Sequence, residues 1–214
     1  MGPVLCLVSD RRRTGSEDAL VALVAAAARA GVHLVQVRER DLDGGPLFRL
    51  VQRCLGAVDG TAARIVVNER VDVATAAGAH GVHLRSESLP PERVRAMVPR
   101  GFLIGRSVHD EDEARRAADG GADYLLFGTV FESRSKPGTI PAGVHALTRI
   151  AAMTAVPVLA VGGVTPERAA EVARAGACGV AAIGMFADLD PPRLPAMIDR
   201  LTRAFDTVAS APRQ

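Results

Sequence analysis

The stretch GFLIGRSVHDEDEARRAADGGADYLLFG, residues 101–128, contains a complete strand–helix–strand unit. Phe102–Val108 is a strand-length run, Asp110 stands where a helix N-cap belongs, and Gly120 closes that helix. Asp123–Gly128 is the next strand-length run. Neither run alternates cleanly between apolar and polar residues, as expected for strands covered on both faces of a parallel sheet.

The same beat continues in both directions. Before this unit come the runs Val4–Val8, Val32–Val37, Arg64–Asn68 and Gly81–Leu84; after it come Val156–Val161 and Gly179–Gly184. Helix signals lie between them. Thr14-Gly15-Ser16-Glu17 has capping-box spacing and opens an Ala/Leu-rich helix that stops at Gly31. Ser88–Glu92 puts proline at a helix start, and Thr165-Pro166-Glu167 caps a helix that ends at Gly176. Pro191-Pro192 begins the last helix, with Leu194, Met197, Ile198 and Leu201 on one face. Eight strands alternating with about eight helices predict an α/β fold, a (β/α)8 TIM barrel. It forms a single domain over residues 1–209, with a frayed tail at 210–214. The alternative, an open doubly wound sheet, lacks the G-x-G-x-x-G expected after the first strand.

Composition excludes several function classes. The chain has 214 residues and a formal net charge of +2, with one Tyr and no Trp. That balance and the scarcity of aromatics argue against nucleic acid as a partner. The basic triplet Arg11-Arg12-Arg13 reads as a solvated loop after the first strand. Cys6, Cys54 and Cys178 are dispersed, as in a cytoplasmic protein with reduced thiols. The N-terminus lacks the basic region of a signal peptide, and the apolar stretch 19–30 is too short to cross a membrane. A homo-oligomer is compatible with this composition.

In a barrel of this kind, sites form at the carboxyl ends of the strands. Read in order, those ends carry Gln36, Arg38, Glu39 and Arg40, then Asn68 and Glu69, then His83, Arg85 and Ser86. Arg106, Ser107 and His109 follow. Thr129 comes next, leading into a polar loop with Glu132, Ser133, Ser135 and Lys136. Gly162-Gly163 and Gly184 end the last two strands, where this fold usually cradles phosphate with backbone N–H groups. Arg38 and Arg40, Arg106 and Lys136 come from three strand ends, and convergence on one mouth would favour an anionic substrate. His109 and His83 are candidates for proton transfer near neutral pH. No H-x-H or H-E-x-x-H pattern points to a transition-metal site.

LVQVRERD (34–41), VNERVDVA (67–74), GAHGVHL (78–84), IGRSVH (104–109), ADYLLFGTVFESRSKPG (122–138), VPVLAVGG (156–163) and AGACGVAAIGMF (175–186) resemble the thiamine phosphate synthase/TenI family. The resemblance runs along nearly the whole chain in order. It implies a (β/α)8 enzyme of thiamin biosynthesis from one of two branches. The synthase branch joins hydroxymethylpyrimidine pyrophosphate to a thiazole phosphate, with Mg²⁺ supporting the leaving group. Gln36, Arg38, Asn68, Ser107 and Lys136 match that branch. Its acidic magnesium ligands correspond to Glu69 and to Ser88, and its lysine after strand two corresponds to Arg40.

The TenI branch aromatises a thiazole carboxylate phosphate by metal-free proton transfer. The resemblance is closer to this branch in GRSVH, in DYLLFG with the VFE that follows, and in RER. The reading favoured from sequence is therefore a thiazole tautomerase, with the synthase and a non-catalytic thiazole-phosphate-binding barrel as alternatives. Both branches share the cradle, here Gly162, Gly163, Ile183 and Gly184, with Ser135 over the phosphate. The TenI catalytic histidine corresponds to Thr129, a poor general base. His109, Glu132 or a water would then have to move the proton.

Overall fold

A computed structural model describes residues 2–133 and 138–210. The strands β1 (Val4–Val8), β2 (Leu34–Val37), β3 (Arg64–Asn68), β4 (Gly81–Leu84), β5 (Leu103–Val108), β6 (Tyr124–Phe127), β7 (Val158–Val161) and β8 (Gly179–Ala182) pair in parallel and in sequence order. Pairing of β1 with β8 closes the barrel, as in Val4↔Gly179 and Cys6↔Ala181. The expected TIM barrel is the observed fold.

Side-chain alternation divides the core into two layers. Leu5, Leu7, Ile65, Val67, Ile104, Leu125 and Phe127 point outward and are buried among the helices. Cys6, Val8, Leu34, Val66, Tyr124, Leu126, Leu159 and Ala181 form a separate cluster inside the barrel. Double-sided burial therefore makes the strands read as unbroken apolar runs. Each fully buried Leu or Ile contributes about 2 kcal/mol of hydrophobic stabilisation.

The outer ring comprises α1 (Arg11–Thr14), α2 (Glu17–Arg29), α3 (Gly44–Val58), α4 (Val71–Ala77), α5 (Pro91–Arg95), α6 (Glu111–Asp119), α7 (Gly143–Met153), α8 (Ala169–Arg174), α9 (Gly184–Ala187) and α10 (Leu194–Ala209). Asp110 caps α6 as expected, accepting from the Glu113 N–H at 2.7 Å. Leu194, Met197, Ile198 and Leu201 on α10 are buried. No described helix is long and apolar enough to cross a membrane. Cys6, Cys54 and Cys178 are free. Burial pushes their thiols up to about 12, 12 and 11.

Three local expectations are corrected. Ser16, not Thr14, caps α2, accepting from the Ala19 N–H; the Thr14 hydroxyl instead faces the Arg11 and Ser16 carbonyls as a donor. A turn separates Thr165 from α8, which begins at Ala169. Arg11-Arg12-Arg13 is a helical turn bound by ion pairs rather than a solvated loop. Arg11 and Arg12 pair with Asp41, and Arg13 pairs with Asp188. The buried Glu39 organises this turn: it accepts from the Ser9 hydroxyl and from the Arg11 N–H, 3.1 Å from each carboxylate oxygen.

Candidate active site

The carboxyl ends of the strands open into a cavity of about 850 Å³. Most of the residues expected at the site line it: Gln36, Arg38 and Arg40 from the end of β2, Asn68 from β3, and Ser107 and His109 from β5 and the turn after it. Thr129 and Glu132 follow β6, while Gly162, Gly163, Ile183 and Gly184 follow β7 and β8. Ser135 and Lys136 lie outside the described residues.

The cavity floor is polar on one side and apolar on the other, as a direct result of strand register. Gln36, Asn68 and His83 each lie two residues beyond the inward Leu34, Val66 and Gly81, and Ser107 lies two beyond Gly105. Their side chains therefore share the inner face of β2–β5. The Gln36 side-chain amide donates to Asn68 Oδ1 at 2.9 Å. The opposite side of the floor is lined by Val8, Leu126, Val161 and Ala181.

His83 is only 1 % exposed. Burial pushes its imidazole down to about 3, with the Arg106 and Arg38 guanidiniums acting in the same direction, so it is neutral at pH 7. Its ring nitrogens contact Ser107 Oγ at 2.8 Å and Tyr124 Oη at 3.2 Å. His109, by contrast, is exposed at the rim and contacts Glu113 through Nδ1 at 3.1 Å.

The lining mixes Arg13, Arg38, Arg40, Arg85 and Arg168 with Glu87, Glu132, Glu167 and Asp188. Arg38 is half-buried; burial lowers its guanidinium's pKa below the ordinary value, and repulsion from Arg40 and Arg85 adds to that lowering. Asp10 and Glu39 offset part of the effect. Across the mouth, Arg168 lies 4.4 Å over the Phe131 ring and donates to the Gly163 carbonyl at 2.9 Å. Arg13 lines the cavity while held by Asp188. A basic triplet gives no local sign that Arg13 faces the cavity; the signal is its place in the connection that follows the carboxyl end of β1.

Gly162 and Gly163 have φ values of 93° and 63°, which favour glycine. Glycine also leaves space for the loop after β6. A Cβ on Gly162 would lie 2.6 Å from Thr129 Cγ2, and one on Gly163 would lie 2.2 Å from the Glu132 carbonyl oxygen. The Val130 and Phe131 N–H groups donate to the Val161 and Gly162 carbonyls at 3.0 Å. The two glycines thus seat the 129–132 segment as well as shaping the cavity wall.

Two expected site residues are positioned elsewhere. Arg106 does not line this cavity: its guanidinium reaches across to the carbonyls of Ser86, Ser88 and Leu89 and ties down the loop after β4. Glu69, in a left-handed conformation with φ 67°, turns its carboxylate toward the same loop. Its Oε1 accepts from the Arg85 N–H at 2.6 Å and from the Ser88 hydroxyl. Glu87 is turned to the Arg85 guanidinium at 2.6 Å. The two positions matching magnesium ligands therefore hold one carboxylate and one hydroxyl, bonded to each other. This donor set does not fit the two-carboxylate Mg²⁺ site that the resemblance implies.

The family model described as "Thiamine monophosphate synthase" matches residues 5–186. A thiamine-phosphate synthase of Roseiflexus sp. (strain RS-1) is 36% identical over 211 residues, covering 98% of this chain and 86% of that protein. One of Methanoculleus marisnigri is 40% identical over 188 residues, covering 86% and 87%. The solved structure of a thiamine phosphate pyrophosphorylase from Pyrococcus furiosus superposes with a TM-score of 0.83 at 29% identity, covering 96% of both chains. The barrel, its strand-end residues and these likenesses together place the chain in the thiamine monophosphate synthase family of thiamin-biosynthesis enzymes.

Proposed function

We propose that this protein is a transferase of the thiamine-phosphate synthase type, joining a pyrimidine pyrophosphate to a thiazole phosphate. The observation that carries this reading is the placement of Arg38 and Arg40 beside Gln36, Asn68 and Ser107, facing the Gly162–Gly163 wall across a space of about 850 Å³. In the joining step, the methylene C–O bond breaks and its electron pair leaves on pyrophosphate. The thiazole nitrogen supplies the pair for the new C–N bond. No proton is removed, so the step needs no general base. Thr129 and the neutral, buried His83 suit that requirement better than they suit proton abstraction.

The pyrophosphate lies beside Arg38 and Arg40, with Ser107 contributing its hydroxyl. These groups meet the charge that develops on the leaving group. Gln36 and Asn68 orient the pyrimidine. The thiazole phosphate rests against Gly162, Gly163, Ile183 and Gly184. The Glu69–Ser88 contact favours a second reading, the metal-free thiazole tautomerase, in which one anion occupies the cradle and His109 or Glu132 moves the proton.

Incubation of the purified protein with both precursors tests the proposal. Thiamine phosphate is the expected product, quantified after oxidation to its fluorescent thiochrome. Absence of product, together with aromatisation of the dihydrothiazole carboxylate phosphate, would overturn it in favour of the tautomerase.

A further inference from the structure

We infer that Tyr124 and His83 are positioning residues that hold the Ser107 hydroxyl as a hydrogen-bond donor to an anionic oxygen in the cavity. The three side chains come from neighbouring strands in matched register. His83 on β4 pairs with Gly105 on β5, and Gly105 pairs with Tyr124 on β6. A Cβ on Gly105 would lie 2.1 Å from Tyr124 Cζ. The missing side chain is therefore what lets the tyrosine ring cross to the imidazole. Ser107, two residues beyond Gly105, lines the cavity itself.

The direction of each bond follows from counting hydrogens. Tyr124 is 6 % exposed, and burial keeps its phenol protonated by raising its pKa well above the usual value. Among the described residues, its hydroxyl meets only His83 Nδ1, at 3.2 Å. A hydrogen on Nδ1 would leave the phenolic hydrogen buried without an acceptor, a penalised arrangement. Nδ1 therefore accepts. The neutral ring carries its hydrogen on Nε2 and donates to Ser107 Oγ at 2.8 Å. Ser107 then has no acceptor in the imidazole, and its own hydrogen is directed to the cavity. Phosphate oxygens are acceptors only and suit that donor; a ligand donor at the same point would meet hydrogen against hydrogen.

The ligand half of this inference rests on the cavity being the substrate site proposed above, whereas the tautomer half does not. Heteronuclear NMR of the histidine-labelled protein reads the His83 tautomer directly. The Nε2–H form is expected at neutral pH, and an Nδ1–H form would overturn the inference. Calorimetry with inorganic pyrophosphate supplies the second readout. Tyr124→Phe is expected to weaken binding about tenfold, the effect of misdirecting one hydrogen bond to a charged group. In a Ser107→Ala background the same change should add nothing; additive losses would make Tyr124 merely structural and overturn the inference. An Nε2–H tautomer without pyrophosphate binding by the wild type would sink both the proposed function and the ligand half.

Discussion

Replacing Arg38 by methionine should weaken ligand binding without weakening the fold. In the free protein this guanidinium is half-buried, close to Arg40 and Arg85, with its pKa lowered mainly by burial. Among the described residues its guanidinium has no hydrogen-bond partner; its backbone N–H donates to Ser9 Oγ at 2.8 Å, and methionine preserves that bond. Removing the charge relieves desolvation and repulsion while the side chain keeps a comparable apolar stem. The unfolding free energy should stay level or rise by up to about 1 kcal/mol, which raises Tm by about 2–4 °C at this size. Binding of inorganic pyrophosphate should move the other way. A hydrogen bond to a charged group is worth about 1.5–3 kcal/mol, and half-exposure argues for the lower end, so Kd rises about tenfold. Thermal melts and isothermal calorimetry on the same preparations check both signs. A fall in Tm with an unchanged Kd would refute the reasoning and make Arg38 a structural residue.

Three further perturbations follow from the geometry. Gly162→Ala places a Cβ at φ 93° and 2.6 Å from Thr129 Cγ2, so it should destabilise by about 2 kcal/mol and lower Tm by about 4–8 °C. A differential-scanning melt checks it, and an unchanged Tm would mean that the 129–132 segment is not seated on this glycine. His83 has a folded pKa of about 3 against an ordinary 6.5, so the unfolded chain takes up this proton first. Its contribution is fully present above about pH 6.5 and is lost on acidification toward pH 3, with a slope approaching 1.4 kcal/mol per pH unit. Urea unfolding of wild type and His83→Gln across that window should therefore show a stability difference that shrinks as pH falls; a constant difference would contradict the depressed pKa. Ser88→Asp puts a second carboxylate beside Glu69 and should tighten Mg²⁺ binding about tenfold in calorimetry. Equal affinity in the two proteins would show that positions 69 and 88 do not share a cation.

Much of this molecule was legible from the chain. Strand runs such as Arg64–Asn68 and Gly81–Leu84 match the observed strands because double-sided burial leaves a continuous apolar signature. Which strand-end residues face the cavity follows from alternation, and Gln36, Asn68 and Ser107 do so. Partner choice was not legible. Arg106 turns to backbone carbonyls and Arg13 to Asp188, choices set by tertiary placement rather than by local pattern. Tyr124 was overlooked because a buried strand residue reads as core; only its register with Gly105 and His83 reveals the polar contact. The preference between reactions also changed. GRSVH and DYLLFG favoured proton transfer from sequence, while the neutral His83, the neighbouring Arg38 and Arg40 and the similarity to thiamine-phosphate synthases favour group transfer.

Group transfer requires one cavity to hold two phosphorylated ligands at once. Calorimetric titration of inorganic pyrophosphate into protein already saturated with thiazole phosphate tests that requirement most directly. The pyrophosphate Kd should change by less than about threefold, reflecting separate positions beside Arg38 and at the Gly162–Gly163 wall. Competition that weakens pyrophosphate binding by more than about tenfold would place both anions in one site and contradict the account.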